Sequence, residues 1–170
     1  MTDPTRFAAR PGEVRLAFDP ADDARAAVTF IGRIRSPWQP DDCPRSIRSA
    51  REAGRGPARL EIDAPYRPGL AGLAPGDGLV LLYWMAQAPR DLIVQAPRHR
   101  VTPSGVFALR SPARPNPVAM SVVRCLAIDA DAGIVTVDAI DAYDGTPLID
   151  IKPWIDSIDL PPAAGAVTGT

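Results

Sequence analysis

The sequence predicts a mainly β protein, a sandwich or, more economically, a small closed β-barrel with only short helical turns. Three observations lead there. Apolar segments with β-branched or aromatic residues recur at short intervals, each bounded by Gly, Pro or Asp. Twenty prolines are spread along the 170 residues, where average usage of about 5% gives roughly eight or nine. Helical periodicity is almost absent. A small barrel also removes the exposed edges that an open sheet of such strands would leave.

The elements follow in order. Residues 1–27 are polar apart from "VRLAF" and read as an N-terminal extension docked loosely on the domain. The barrel domain, expected over residues 28–160, opens at "VTFIGRIRSPW", where Phe30, Gly32 and Ile34 alternate with Ile31 and Arg33 in a short strand stopped by Ser36-Pro37. "QPDDCPRSIRSAREAGRGP" is polar and basic and closes on Gly54, Gly56 and Pro57, which suits a long surface loop with a helical turn around Ile47 to Ala53. "ARLEIDAP" alternates Leu60 and Ile62 with Glu61 and Asp63, and "GLVLLYWMAQ" is continuous enough for a buried strand. "GVFALRS", "VAMSVVRCLAID" and "GIVTVDAIDAY" are the remaining strand candidates. Residues 161–170 read as a flexible small-residue tail.

Composition narrows the function. Hydrophobic content of 46% and charged content of 23% are those of a globular protein. A net charge of −1 gives no global field toward nucleic acid, although a local basic patch stays open. Cys43 and Cys125 lack CxxC or Cys/His spacing and read as free thiols of a reducing cytoplasm. The longest apolar run, "LVLLYWMA", is too short to cross a bilayer, and the N-terminus shows no apolar signal core. A cytoplasmic protein without a membrane partner is expected. His99 is the one histidine, without a metal-ligand set around it, so no metal is expected. GxSxG, P-loop and GxGxxG patterns are absent.

Two clusters carry candidate chemistry. In "RSPARPNP", Pro115 and Pro117 fix their own φ and push Arg114 and Asn116 toward extended geometry. Arg110, Arg114 and Asn116 displayed in this way suit a ligand with a carboxylate or phosphate and a heterocycle edge; the alternative is a proline-braced turn with exposed arginines. In "DAYDGTPLIDIKPW", Asp144-Gly145 makes a tight turn where Asp141 and Asp144 can hold ribose hydroxyls or an ammonium. Leu148, Asp150 and Lys152 then share one parity of an extended segment, with Asp150 and Lys152 neighbours on one face. The alternative is a hairpin turn with a surface ion pair.

Taken together, "IGRIRSPW…CPR", "GVFALRSPARPNPVAMSVV" and "DAYDGTPLIDIKPW" resemble the TrmO/YaeB (TsaA-like) family, over about Phe30 to Ile155. The resemblance implies a β-barrel methyltransferase that uses S-adenosyl-L-methionine and methylates N6 of threonylcarbamoyladenosine beside the tRNA anticodon. It implies a donor site of Pro44, Arg45, Ser46, Gln87, Arg110, Asn116, Met120, Asp141, Asp144, Gly145, Thr146 and Pro147. Two positions depart from the family pattern: Ser46 stands for the glutamine of its PRQ loop, and Ala86 for the histidine of its HQ pair. The chain also stops short of the extra C-terminal domain of longer members.

Methyl transfer from a sulfonium needs orientation and an unprotonated acceptor nitrogen, not a protein nucleophile. Arg110 or Arg45 is therefore expected at the methionyl carboxylate, Asp141 or Asp144 at the ribose or amine, and Asp144 or Asp150, beside Lys152, at any proton transfer. Arg45, Arg48, Arg51, Arg55 and Arg59, with Arg90, Arg98 and Arg100, would form a phosphate-binding surface for tRNA if they face one side. A homodimer with its pocket near the interface is expected. The two departures keep open another small-molecule or RNA acceptor, or a donor-binding module without catalysis.

Overall fold

The computed structural model describes residues 10–22, 26–97 and 100–163. The expectations for Arg98, His99 and residues 164–170 lie outside the described residues, as does part of the N-terminal extension.

Six antiparallel strands close into a barrel: β2 (Gly32–Arg35), β3 (Ala58–Ile62), β8 (Ile134–Val137), β7 (Val118–Asp129), β4 (Gly78–Trp84) and β9 (Pro147–Pro153), with β9 returning to β2. Alternation decides which side chains fill it. Ile34, Leu60, Leu79, Leu81, Val135, Val137 and Leu148 are each fully buried, and burying a side chain of this size stabilises the fold by about 1.5–3 kcal/mol. Gly32 is required where β2 meets β3, because a Cβ there would lie 2.0 Å from the carbonyl oxygen of Glu61.

A second sheet joins β1 (Val14–Arg15), β5 (Leu92–Gln95) and β6 (Ser104–Gly105). Arg15 ties β1 to Asp91 at 2.5 Å, and Glu13 accepts from the backbone and side chain of Arg10 and from the amide of Ala96. Burial alone would raise the Glu13 carboxyl, but those hydrogen bonds overcome it and bring its pKa down to about 2. The expected helical turn forms as α1 (Ile47–Ala53), capped by Ser46 and closed by Gly54 in the left-handed region. A short helix, α2 (Asp156–Asp159), ends the described fold.

Two local expectations are corrected. "GVFALRS" is not a strand: Val106–Ala108 is a turn of 3₁₀ helix, with Val106 buried and Phe107 83% exposed. Arg114 closes that turn by donating to the carbonyls of Val106 and Leu109, a contact no local pattern encodes. Leu148, Asp150 and Lys152 do not share a face. β9 carries a bulge at Ile149, since Leu82 pairs with Asp150 but Tyr83 pairs with Leu148. Leu148 therefore points inward with Tyr83, whereas Asp150 and Lys152 face outward. The Ala64–Leu70 3₁₀ segment and β5 were not expected at all.

Candidate functional site

A cavity of about 410 Å³ opens where three connections meet at one end of the barrel. Its walls are Trp84–Pro89 after β4, Pro112 and Ala113 from the arginine–proline segment, and Tyr143–Pro147 entering β9.

The first two walls are clipped together. Prolines offer no N–H, so this segment is fastened largely through its carbonyls. Met85 donates its amide to the Pro117 carbonyl at 2.9 Å, Arg90 donates Nε to that of Pro115 at 2.7 Å, and Gln95 donates its side-chain amide to that of Ala113 at 2.6 Å. The Arg114 amide donates to the Pro89 carbonyl, and the Arg90 guanidinium lies 5.7 Å from the Trp84 ring centre.

The third wall is sewn to the end of β2. Asp144 accepts from the Ser36 amide at 3.1 Å and from Arg35 at 3.4 Å, while its own amide donates to the Trp38 carbonyl. Gly145 has φ +78, a conformation open to glycine at little cost, and donates to the Ile34 carbonyl. Thr146 Oγ1 donates to the Tyr143 carbonyl at 2.7 Å.

The cavity thus brings together Gln87, Asp144, Gly145, Thr146 and Pro147 from the expected set. The other expected residues stand outside its lining. Pro44, Arg45 and Ser46 lead into α1, and Ser46 spends its hydroxyl accepting the Ser49 amide at 3.1 Å as helix cap. Arg110 donates to the Met120 carbonyl at 2.8 Å, and the Met120 side chain is exposed. Asn116 is exposed, its carbonyl accepting the Val118 amide. Asp150 and Lys152 pair with each other at 2.7 Å on the outer wall.

Asp141 has a different setting. The Ser121 hydroxyl donates to its Oδ1 at 2.8 Å and the Tyr83 hydroxyl at 3.1 Å. Burial first, then the Asp141 charge, pushes the Tyr83 phenol far above its ordinary value. The same two causes, in that order, push the Cys43 thiol up to about 11. Tyr83 and Ser121 escaped sequence reasoning because their partnership with Asp141 joins three distant segments. Trp84, Met85, Pro89 and Pro112 escaped it because apolar wall residues carry no chemical signature.

Part of the expected basic surface is neutralised. Arg48 pairs with Glu52, Arg51 with Asp138 and Arg55 with Asp42, and Arg55 also stacks over Trp38.

A family model described as the tRNA-methyltransferase O N-terminal domain matches residues 33–160. The chain belongs to that family. Among curated relatives, "Probable S-adenosyl-L-methionine-binding protein VirR" of Rhizobium radiobacter is 36% identical over 145 residues, 85% of this chain and 78% of VirR. A "Probable S-adenosyl-L-methionine-binding protein" of Archaeoglobus fulgidus is 38% identical over 130 residues, 76% of this chain and 34% of that one. The crystal structure of TrmO from Pseudomonas aeruginosa superposes with a TM-score of 0.64 at 31% identity, covering 86% of this chain. This chain spans 60%, 63% and 64% of the lengths of three matched TrmO chains. Within this TrmO-type barrel Ala86 falls on the cavity wall, whereas Ser46 serves as a helix cap.

Among the described residues no helix is long and apolar enough to cross a membrane, and no cluster of His, Cys, Asp or Glu is arranged to hold a metal ion.

Proposed function

We propose that the chain is an S-adenosyl-L-methionine-dependent methyltransferase whose acceptor is N6 of threonylcarbamoyladenosine in tRNA. The observation that carries this reading is the meeting of Gln87, the Asp144–Pro147 corner and the proline segment around one cavity. Its volume, about 410 Å³, is within the range of small-molecule sites. Its walls also suit the group: Trp84, Met85, Pro89 and Pro112 offer apolar area for a heterocycle, and Gln87 and Asp144 offer polar contacts for amine or hydroxyl groups.

When bound, the donor supplies a methyl group on a positively charged sulfur that becomes neutral as the methyl leaves. The protein's task is orientation. Gly145 and Thr146 hold the corner, and Asp144, already fixed by Ser36 and Arg35, presents a carboxylate in a defined pose. Asp144 is the proposed acid–base candidate at the cavity, and no step is assigned to Asp150 or Lys152. Asp141 and Arg45 are proposed for the donor's charged end, while Arg110 is spent on the Met120 carbonyl. Cytoplasmic location and a homodimer complete the reading; sedimentation velocity tests the latter.

Calorimetry with S-adenosyl-L-homocysteine tests the donor site. Transfer of labelled methyl from S-adenosyl-L-methionine to tRNA bearing threonylcarbamoyladenosine, isolated from a strain lacking the enzyme, tests the reaction. One observation favours a second reading, a donor-binding module without catalysis or with another acceptor: Ala86 places a methyl group at the cavity where the family pattern has a histidine. Donor binding without transfer to that tRNA would select it.

A further inference from the structure

The outer face of β2 and β3 carries an arrangement that the fold itself does not need. Gly32 and Ile34 point into the barrel, so Arg33 and Arg35 point out; Ala58, Leu60 and Ile62 point in, so Arg59 and Glu61 point out. The register sets Arg35 directly opposite Arg59 and Arg33 directly opposite Glu61. Like charges directly opposite on one face of an antiparallel pair repel. Glu61 is shared, accepting from Arg35 at 2.9 Å and standing 3.8 Å from Arg33. Arg59 is exposed and has no acidic partner among the described residues. The next residue across from it, on β8, is the neutral Thr136.

This strip lies beside the cavity. Arg35 also reaches Asp144 Oδ2 at 3.4 Å, and Asp144 lines the cavity wall. Glu61, first, and Asp144 hold the Arg35 guanidinium above its ordinary pKa, so its charge is permanent. The contrast with α1 and the turn after it is clear: there each of Arg48, Arg51 and Arg55 has its own carboxylate, whereas here three arginines face Glu61 and the cavity's Asp144.

We infer that the Arg33–Arg35–Arg59 strip seats backbone phosphates of the acceptor RNA next to the nucleotide that enters the cavity. The inference rests on the methyltransferase reading for its partner and adds where that partner lies. A phosphate between Arg35 and Arg59 turns their repulsion into shared attraction, and guanidinium forks match phosphate oxygens in bidentate fashion. Arg33 and Arg35, two residues apart on one strand, stand about 6.6 Å apart, so the strip follows a chain rather than a single ion.

Filter binding of tRNA bearing threonylcarbamoyladenosine, without donor and over a salt series, tests this, with S-adenosyl-L-homocysteine calorimetry run in parallel. Arg33→Ala and Arg59→Ala are each expected to weaken tRNA binding several-fold at low salt. Each should also flatten the log–log salt slope by about 0.7–0.9, the value of one lost phosphate contact. Arg59→Lys should restore the slope, and donor affinity should hold in all variants. An unchanged tRNA affinity and slope in the Arg33→Ala/Arg59→Ala double variant overturns the inference, as does an equal or larger loss in Arg48→Ala on α1. Inorganic phosphate competing as well as tRNA, at equal phosphate, also overturns it, because the strip then reads single anions. A wild-type protein that binds donor but not tRNA defeats the tRNA-acceptor reading along with the strip. Wild-type binding that the double variant keeps unchanged defeats the strip alone, and a protein that binds tRNA but not donor defeats the donor reading and leaves the strip standing.

Discussion

The arginine–proline segment and the Asp-Gly-Thr-Pro corner face the same cavity but are built in opposite ways. The first turns its charged side chains away: Arg114 closes its own 3₁₀ turn, Arg110 holds the Met120 carbonyl, and Pro112 and Ala113 form the wall. The second keeps its polar groups at the cavity and is fixed by backbone bonds to Ile34 and Trp38. Rigid, charged sequence can therefore serve as scaffold, while a neighbouring turn presents the polar groups to the cavity.

The sharpest way to break the comparison is Arg114→Ala. It should leave two loop carbonyls without their charged donor and cost about 1.5–3 kcal/mol of stability in urea melts; a loss of donor affinity at unchanged stability would mean that Arg114 faces ligand after all. Gly145→Ala comes next, since a side chain at φ +78 costs about 1–2 kcal/mol. Calorimetry should show weakened S-adenosyl-L-homocysteine binding even where the protein remains folded. Asp144→Asn should separate the two roles, lowering donor affinity about tenfold, or ~1.4 kcal/mol, with a smaller effect on melting temperature.

The barrel was legible for a simple reason. Segments such as "ARLEI" and "GLVLLYW" carry their burial pattern locally, and Gly, Pro and Asp mark their ends. What failed was whatever depends on a partner outside the segment itself. Val106–Ala108 looks like a strand until Arg114 reaches its carbonyls. The parity of β9 is set by its register against β4. The corner residues Asp144 to Pro147 could be named from the sequence because a tight turn there has its own signature. Arg114 was read toward a ligand because prolines show stiffness but not direction.

Two smaller effects probe groups outside both walls. The Cys43 thiol, pushed up to about 11 from 9.0, should alkylate with iodoacetamide at pH 8 about a hundredfold more slowly than in denatured protein. Peptide mapping separates it from Cys125. Glu13 has a folded pKa of about 2 against 4.5 for the free group. Its stabilising contribution is complete above pH 4.5 and is lost as the pH falls toward 2. Hydrogen-exchange protection at β1, relative to the unfolded chain at the same pH, should fall over that window, and Glu13→Gln should remove that change.

The bulge at Ile149 gives the last strand an unusual freedom. Because it absorbs one residue between Leu148 and Asp150, a chain lacking Ile149 would still send Leu148 to the interior and Lys152 to solvent. The Asp144–Pro147 corner would keep its place, since Leu148 stands opposite Tyr83 with or without the extra residue; what the deletion removes is the local bend and added twist of the bulge. One residue of length is thus tolerated in this strand without resetting which side chains face the barrel.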